Sequence, residues 1–119
     1  MYMDKINRDL TVLLHMKKYC EEITQLNLNN ISYDEFVKNY VLRNSISMDL
    51  MQIGELVHHL SNEYYEKTKV KMNWNVIKGM RNHFAHGYFT MDYQIIFDTA
   101  KNNIPEFEKL LDEEINTFK

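Results

Sequence analysis

Glycine and proline are scarce in this 119-residue chain, with three of the first and one of the second. That scarcity excludes sandwiches, barrels and doubly wound sheets, which need many tight turns. One cysteine, Cys20, excludes an internal disulfide and fits a reducing cytoplasm, where the protein is expected to act. Cys20 reads as a small buried hydrophobe of the first helix rather than a reactive thiol. No uncharged apolar run approaches the roughly 18 residues of a membrane span, and no apolar segment precedes a small-residue cleavage site, so no membrane association is expected. No glycine-rich loop is present to cradle a nucleotide phosphate. A formal net charge of −3 excludes bulk electrostatic coating of nucleic acid.

What remains is rich in Leu, Met, Glu and Lys, the composition of an all-α protein, and the length suits one domain over residues 1–119. Periodicity predicts a first helix from Asp4 to Leu26, with Ile6, Leu10, Leu13, Cys20 and Ile23 near one face. The polar Asn27-Leu28-Asn29-Asn30 ends it, and Ser32-Tyr33-Asp34-Glu35 has the Ser-x-x-Glu form of a capping box. Ile46, Leu50, Ile53, Val57, Leu60 and Tyr64 then alternate in steps of four and three, the seam of a long helix with an interruption near Asn39–Asn44. Gly54 lies beside that seam. Giving up about 1 kcal/mol of helix propensity there implies a packing reason, the close approach of another backbone.

Lys67 to Met72 reads as a connection, after which Asn73 caps a helix from Trp74 to His86 striped by Ile77, Met80 and Phe84. Gly87 is the expected helix stop. Asp92 caps a final helical region carrying Phe97, Ala100, Ile104, Phe107, Leu111, Ile115 and Phe118, with a kink or break around Asn102–Pro105 where Pro105 removes an amide donor. The predicted architecture is an up-and-down bundle of four or five helices.

The charges are unevenly placed. Lys67, Lys69, Lys71, Lys78 and Arg81 fall in a stretch to His86 with no acidic residue, which reads either as a local phosphate-binding strip or as a solvated face. Within it lies Arg81-Asn82-His83-Phe84-Ala85-His86-Gly87-Tyr88. RNA supplies its own nucleophile, the 2′-hydroxyl. A catalyst must take that proton, stabilise charge on the phosphoryl oxygens and help the 5′-oxygen leave. An imidazole suits proton transfer and a forked guanidinium suits the phosphorane, so His86 and Arg81 are the candidate catalytic pair. Five residues apart on one helix, they diverge by roughly 140°, so two copies facing each other across a two-fold axis would build a better cleft than one.

Asn82, one turn before His86, can hydrogen-bond the ring or the substrate. With His83 and Lys78 it completes the supporting or substrate-binding candidates, though His83 also reads as a plain helix residue. His83 and His86 have helical metal-ligand spacing, but no carboxylate or Cys within a turn completes a set, so no metal and no cofactor is expected. Adjacent His58 and His59 point in different directions and carry no ligand logic. Glu55 reads as a surface residue or as a partner for Arg81 inside the bundle. Eight Met and eight Tyr suit a soft core or a dimer surface.

The Arg-x4-His-x-Tyr pattern, with Asn82 after the Arg and Trp74, Ile77, Gly79-Met80, Tyr88-Phe89 and Met91-Asp92 around it, resembles the HEPN superfamily and within it the HepT-like toxins. The resemblance is strongest from Ile53 to Leu111. It implies a homodimeric HEPN-like bundle and a metal-independent endoribonuclease acting on mRNA or tRNA. It also implies a toxin–antitoxin pair with a nucleotidyltransferase antitoxin of the MNT type, which attaches AMP to the motif tyrosine, here Tyr88. The competing roles are a non-catalytic HEPN nucleotide-binding or adaptor module, and for Tyr88 an aromatic packing at the helix end.

Overall fold

A computed structural model describes residues 2–86 and 92–119, with side chains from Arg8 to Arg81 and from Asp92 to Lys119. The described residues hold helices and no strand: α1 (Tyr2–Thr24), α2 (Tyr33–Lys38), α3 (Tyr40–Leu56), α4 (Asn62–Met72), α5 (Trp74–His86), α6 (Tyr93–Asp98) and α7 (Ile104–Asn116). The long helices α1, α3, α5 and α7 make the expected bundle, and the shorter ones fill its ends. None of the described helices is long and apolar enough to cross a membrane.

Named contacts give the helix directions. Near one end of the bundle Arg8 of α1 donates through Nε to the His59 carbonyl at 2.8 Å, and at the other Glu22 hydrogen-bonds Asp49, so α1 and α3 are antiparallel. Lys17 pairs with Glu108 at 3.7 Å and with Asp112, while Thr24 lies beside Lys101, so α7 also runs against α1. Leu13, Met16, Cys20, Ile23, Ile46, Leu50, Ile53, Ile104 and Leu111 are buried between these helices. Burial pushes the Cys20 thiol pKa up, so Cys20 is the inert core residue its position suggested.

Capping explains most helix boundaries. Ser32 Oγ accepts from the Glu35 amide at 3.1 Å, as the Ser-x-x-Glu pattern predicts. The interruption near Asn39 is sharp: Asn39 ends α2, and its Oδ1 accepts from the Leu42 amide at 3.0 Å to start α3. Asp92 caps α6 by accepting from Gln94 at 2.9 Å. Ahead of Pro105 the chain widens into a π-type turn over Thr99–Asn103, and Pro105 sits in the first turn of α7, where its missing amide is tolerated.

Two expectations fail. The seam from Ile46 to Tyr64 is buried throughout but does not lie on one helix. The chain passes through a 3-10 turn at Val57–His59 and an extended Leu60, and α4 begins afresh. Asp9 makes the break: its carboxylate accepts from the Ser61 amide at 2.8 Å and from the Ser61 hydroxyl at 2.7 Å, and Ser61 Oγ in turn accepts from the Tyr64 amide at 3.2 Å. Lys67 to Met72, read as a connection, is the second half of α4. That helix buries only Tyr64, Thr68 and Met72, with polar Thr68 in the middle of the stripe and Val70 fully outside it, so its apolar pattern is too thin to read. The turn into α5 is instead the single residue Asn73, held left-handed at φ 54°.

Candidate active site

Helix α5 carries the motif, and its start is firmly anchored. Trp74 is fully buried, packs edge-on against Phe107 at 6.1 Å between centroids, and donates through Nε1 to Thr68 Oγ1 at 2.8 Å. The backbone stays helical to His86, so Arg81 and His86 share one continuous helix and the offset of roughly 140° applies.

Gly54 of α3 lies directly under Arg81. A Cβ placed on Gly54 would come within 2.7 Å of the Arg81 amide nitrogen, 2.9 Å of the Ile77 carbonyl oxygen and 3.1 Å of Arg81 Cβ. Backbone meets backbone at this crossing, which is the packing reason implied by a glycine beside the seam. The next residue, Glu55, receives Arg81: Nε to Oε2 is 2.9 Å, with the side chains 45% and 44% exposed. An ion pair that open to water is worth under about 1 kcal/mol. It can orient a guanidinium and still yield it to a phosphate, whose charge-assisted bonds are stronger.

Lys78, one turn before Arg81, is half-buried with its ammonium 5.9 Å from the centroid of the Tyr65 ring. The side chains of Asn82, His83 and His86 fall outside the described residues, as do Gly87 and Tyr88 entirely. Of the sequence-predicted set, the structure therefore places Arg81 and Lys78 on one helix beside Glu55. Tyr65, which no sequence signal singled out, joins them through Lys78.

The basic strip does not survive folding as a free cationic surface. Lys69 pairs with Glu66, and Lys71 reaches Glu114 at 3.0 Å and Glu113 at 3.2 Å. Glu114 is buried and also accepts from the Tyr64 hydroxyl at 2.7 Å. Burial alone would raise the Glu114 pKa, but the hydrogen bonds from Tyr64 and Lys71 outweigh it and hold the carboxyl below its ordinary value. The hydrogen bond to Glu114 correspondingly raises Lys71. A cavity of about 400 Å³ opens beside this network between α4 and α7, and Arg81 does not line it. Its central polar groups already satisfy one another, so the cavity wall reads as a structural joint, and the chemistry is better sought at the α3–α5 crossing. Among the described residues no group of three His, Cys, Asp or Glu side chains is disposed to hold a metal ion.

The sequence model of the family described as Ribonuclease HepT-like matches residues 16–114. A protein of Caldanaerobacter subterraneus subsp. tengcongensis, provisionally named an RNase, is 39% identical over 101 residues, 85% of this chain and 88% of its own. Two proteins of Methanocaldococcus jannaschii, also provisionally named RNases, are each 31% identical, over 86% of this chain and 84% of the relative in one case, and 67% and 72% in the other. No solved structure matches.

The Gly54 contact yields a stability test. Gly54→Ala is expected to destabilise the fold by a net of about 1–2 kcal/mol, because forcing α5 away outweighs the roughly 1 kcal/mol gained in helix propensity. Gly79→Ala meets nothing within 4 Å and should be neutral or stabilising. Thermal melts of the two variants check this, and a Gly54→Ala protein as stable as wild type would contradict the close crossing.

Proposed function

We propose, from the premise that this chain belongs to the HepT-like ribonuclease family, that it is a metal-independent endoribonuclease whose working groups are Arg81 and His86. The observation that carries this reading is the placement of Arg81. A backbone-to-backbone crossing fixes its Cα, Glu55 orients its guanidinium, and it stands on the helix that continues to His86. In the proposed reaction the 2′-oxygen bonds to phosphorus and the bond to the 5′-oxygen breaks. The 2′-hydroxyl proton passes to an imidazole, a proton is delivered to the leaving 5′-oxygen, and Arg81 neutralises charge on the non-bridging oxygens. The products are a 2′,3′-cyclic phosphate and a free 5′-hydroxyl.

One imidazole and one guanidinium diverging around a helix do not converge on a single phosphate. The reading therefore includes a homodimer in which two α5 helices line a shared cleft. It also includes toxin–antitoxin pairing with an MNT-type nucleotidyltransferase, by resemblance to the family. In that reaction the Tyr88 phenol oxygen bonds to the α-phosphorus of ATP and pyrophosphate leaves. The attached adenylate brings a negative phosphate into competition with RNA for Arg81.

Purified protein is expected to cut RNA in excess EDTA and leave cyclic phosphate ends, with His86→Ala slowed about 10²–10⁴-fold and Arg81→Ala at least about 10²-fold. Activity lost to the chelator and restored by a divalent cation would overturn the mechanism. Light scattering on the active protein should give twice the 14.4 kDa of one chain; a fully active monomer would remove the shared cleft. With the cognate nucleotidyltransferase and ATP, intact mass should rise by adenylate units and cleavage should cease, and Tyr88→Phe should escape both. A Tyr88→Phe protein that is still adenylated and silenced would place the acceptor elsewhere.

A further inference from the structure

A second cavity, about 260 Å³, opens where the end of α3 meets α4 and α5. Its floor is apolar, formed by the buried Val57 and Leu60. Its walls carry His58, Asn62, Tyr65 and Lys78, with Glu66 at one side already paired to Lys69. The Tyr65 ring is held at the wall from both ends: its body packs on the core, and its hydroxyl donates to Asn75 Oδ1 at 2.6 Å. Over the ring, 5.9 Å from its centroid, sits the Lys78 ammonium.

The location matters as much as the lining. Glu55 meets Arg81, and three residues further along the chain His58 lines the same cavity as Lys78, three residues before Arg81. Because α3 and α5 run in opposite directions, these are neighbouring rungs of one groove, about 4.5 Å apart along the helix axis. The cavity is smaller than the roughly 300–1,000 Å³ of sites for drug-sized ligands, a scale that suits a single planar base.

We propose that this cavity is a nucleobase subsite, taking the base of a nucleotide adjacent to the phosphate held at Arg81. Tyr65 supplies the stacking face and Lys78 swings from the ring to the neighbouring phosphate. The inference rests on the ribonuclease reading for the position of that phosphate, while the base-binding chemistry stands on the cavity itself. An open cation–π contact at this distance is weaker than a base stacked on the same face, so an incoming base displaces the ammonium rather than being excluded by it. His58 and Asn62 line the cavity with Tyr65 and can hydrogen-bond the edge of the base.

The test uses a short non-cleavable 2′-O-methyl oligonucleotide and its single-abasic versions, with binding read by fluorescence anisotropy. Wild type should lose about tenfold in affinity when the abasic position falls at the subsite. Tyr65→Leu should bind the intact strand about tenfold more weakly and be indifferent to the abasic change, while Tyr65→Phe, which keeps the ring but loses its bond to Asn75, should keep the abasic sensitivity. Melting curves establish that the variants are folded, and the abasic series on wild type needs no variant at all. Tyr65→Leu binding as tightly as wild type, or wild type insensitive to every abasic position, overturns the subsite. Cleavage of the matching all-RNA strand is read separately. Abasic-sensitive binding without cleavage would overturn the ribonuclease reading and leave the base subsite standing, and cleavage without abasic sensitivity would overturn the subsite alone.

Discussion

The contact of α3 with α5 at Gly54 is the constraint on which the site depends. Helices usually pack with axes about 8–10 Å apart, the distance being set by the side chains at the crossing. At Gly54 there is no side chain, and the Arg81 amide and Ile77 carbonyl close onto the bare backbone. That approach brings Glu55 within reach of Arg81 and, a turn along, the Val57–His59 segment against Lys78. A larger residue at one position would move all of these together, because they hang on the same pair of helices. Anchoring at Trp74, through its hydrogen bond to Thr68 and its packing on Phe107, fixes the other end of α5.

Electrostatics at the site are local rather than global. The chain is acidic overall, and most of its basic strip is answered by carboxylates from elsewhere: Glu66 for Lys69, Glu113 and Glu114 for Lys71, Glu55 for Arg81. These partners differ in burial and so in consequence. Glu114 is buried with its oxygens occupied by Tyr64 and Lys71, a joint that ties α4 to α7 and would be costly to open. Glu55 is nearly half exposed, so its hold on Arg81 is weak enough to exchange for a phosphate. Similar ion pairs thus do different work according to the water around them.

Much of this was legible in the chain itself. The scarcity of Gly and Pro and the helical stripes set the all-α class. The Ser32, Asn39 and Asp92 boundaries follow from side chains that cap locally, within three residues of the amides they satisfy. The span Trp74–His86, the irregularity before Pro105 and the packing role of Gly54 are likewise consequences of short-range preferences. The motif from Arg81 to Tyr88, with the residues around it, resembles the HepT-like family, and the family match over residues 16–114 agrees.

What only the tertiary structure decided involves partners far apart in sequence. The apolar seam from Ile46 to Tyr64 is continuous in sequence, yet it is cut in two at Ser61, which caps α4 and is itself held by Asp9, 52 residues away. Helix α4 escaped a reading based on apolar periodicity because its buried stripe runs through a threonine that Trp74 satisfies. The basic strip looked free because Glu55, Glu113 and Glu114 lie on other helices, while Glu66, just ahead of the strip on α4, answers Lys69 locally. Tyr65 and His58 carry no motif, and they gain meaning only because α4 and the end of α3 meet Lys78 across a cavity. Local chemistry is written in neighbouring residues, whereas charge balance, helix breaks imposed from outside and the walls of a pocket depend on which distant residues folding brings together.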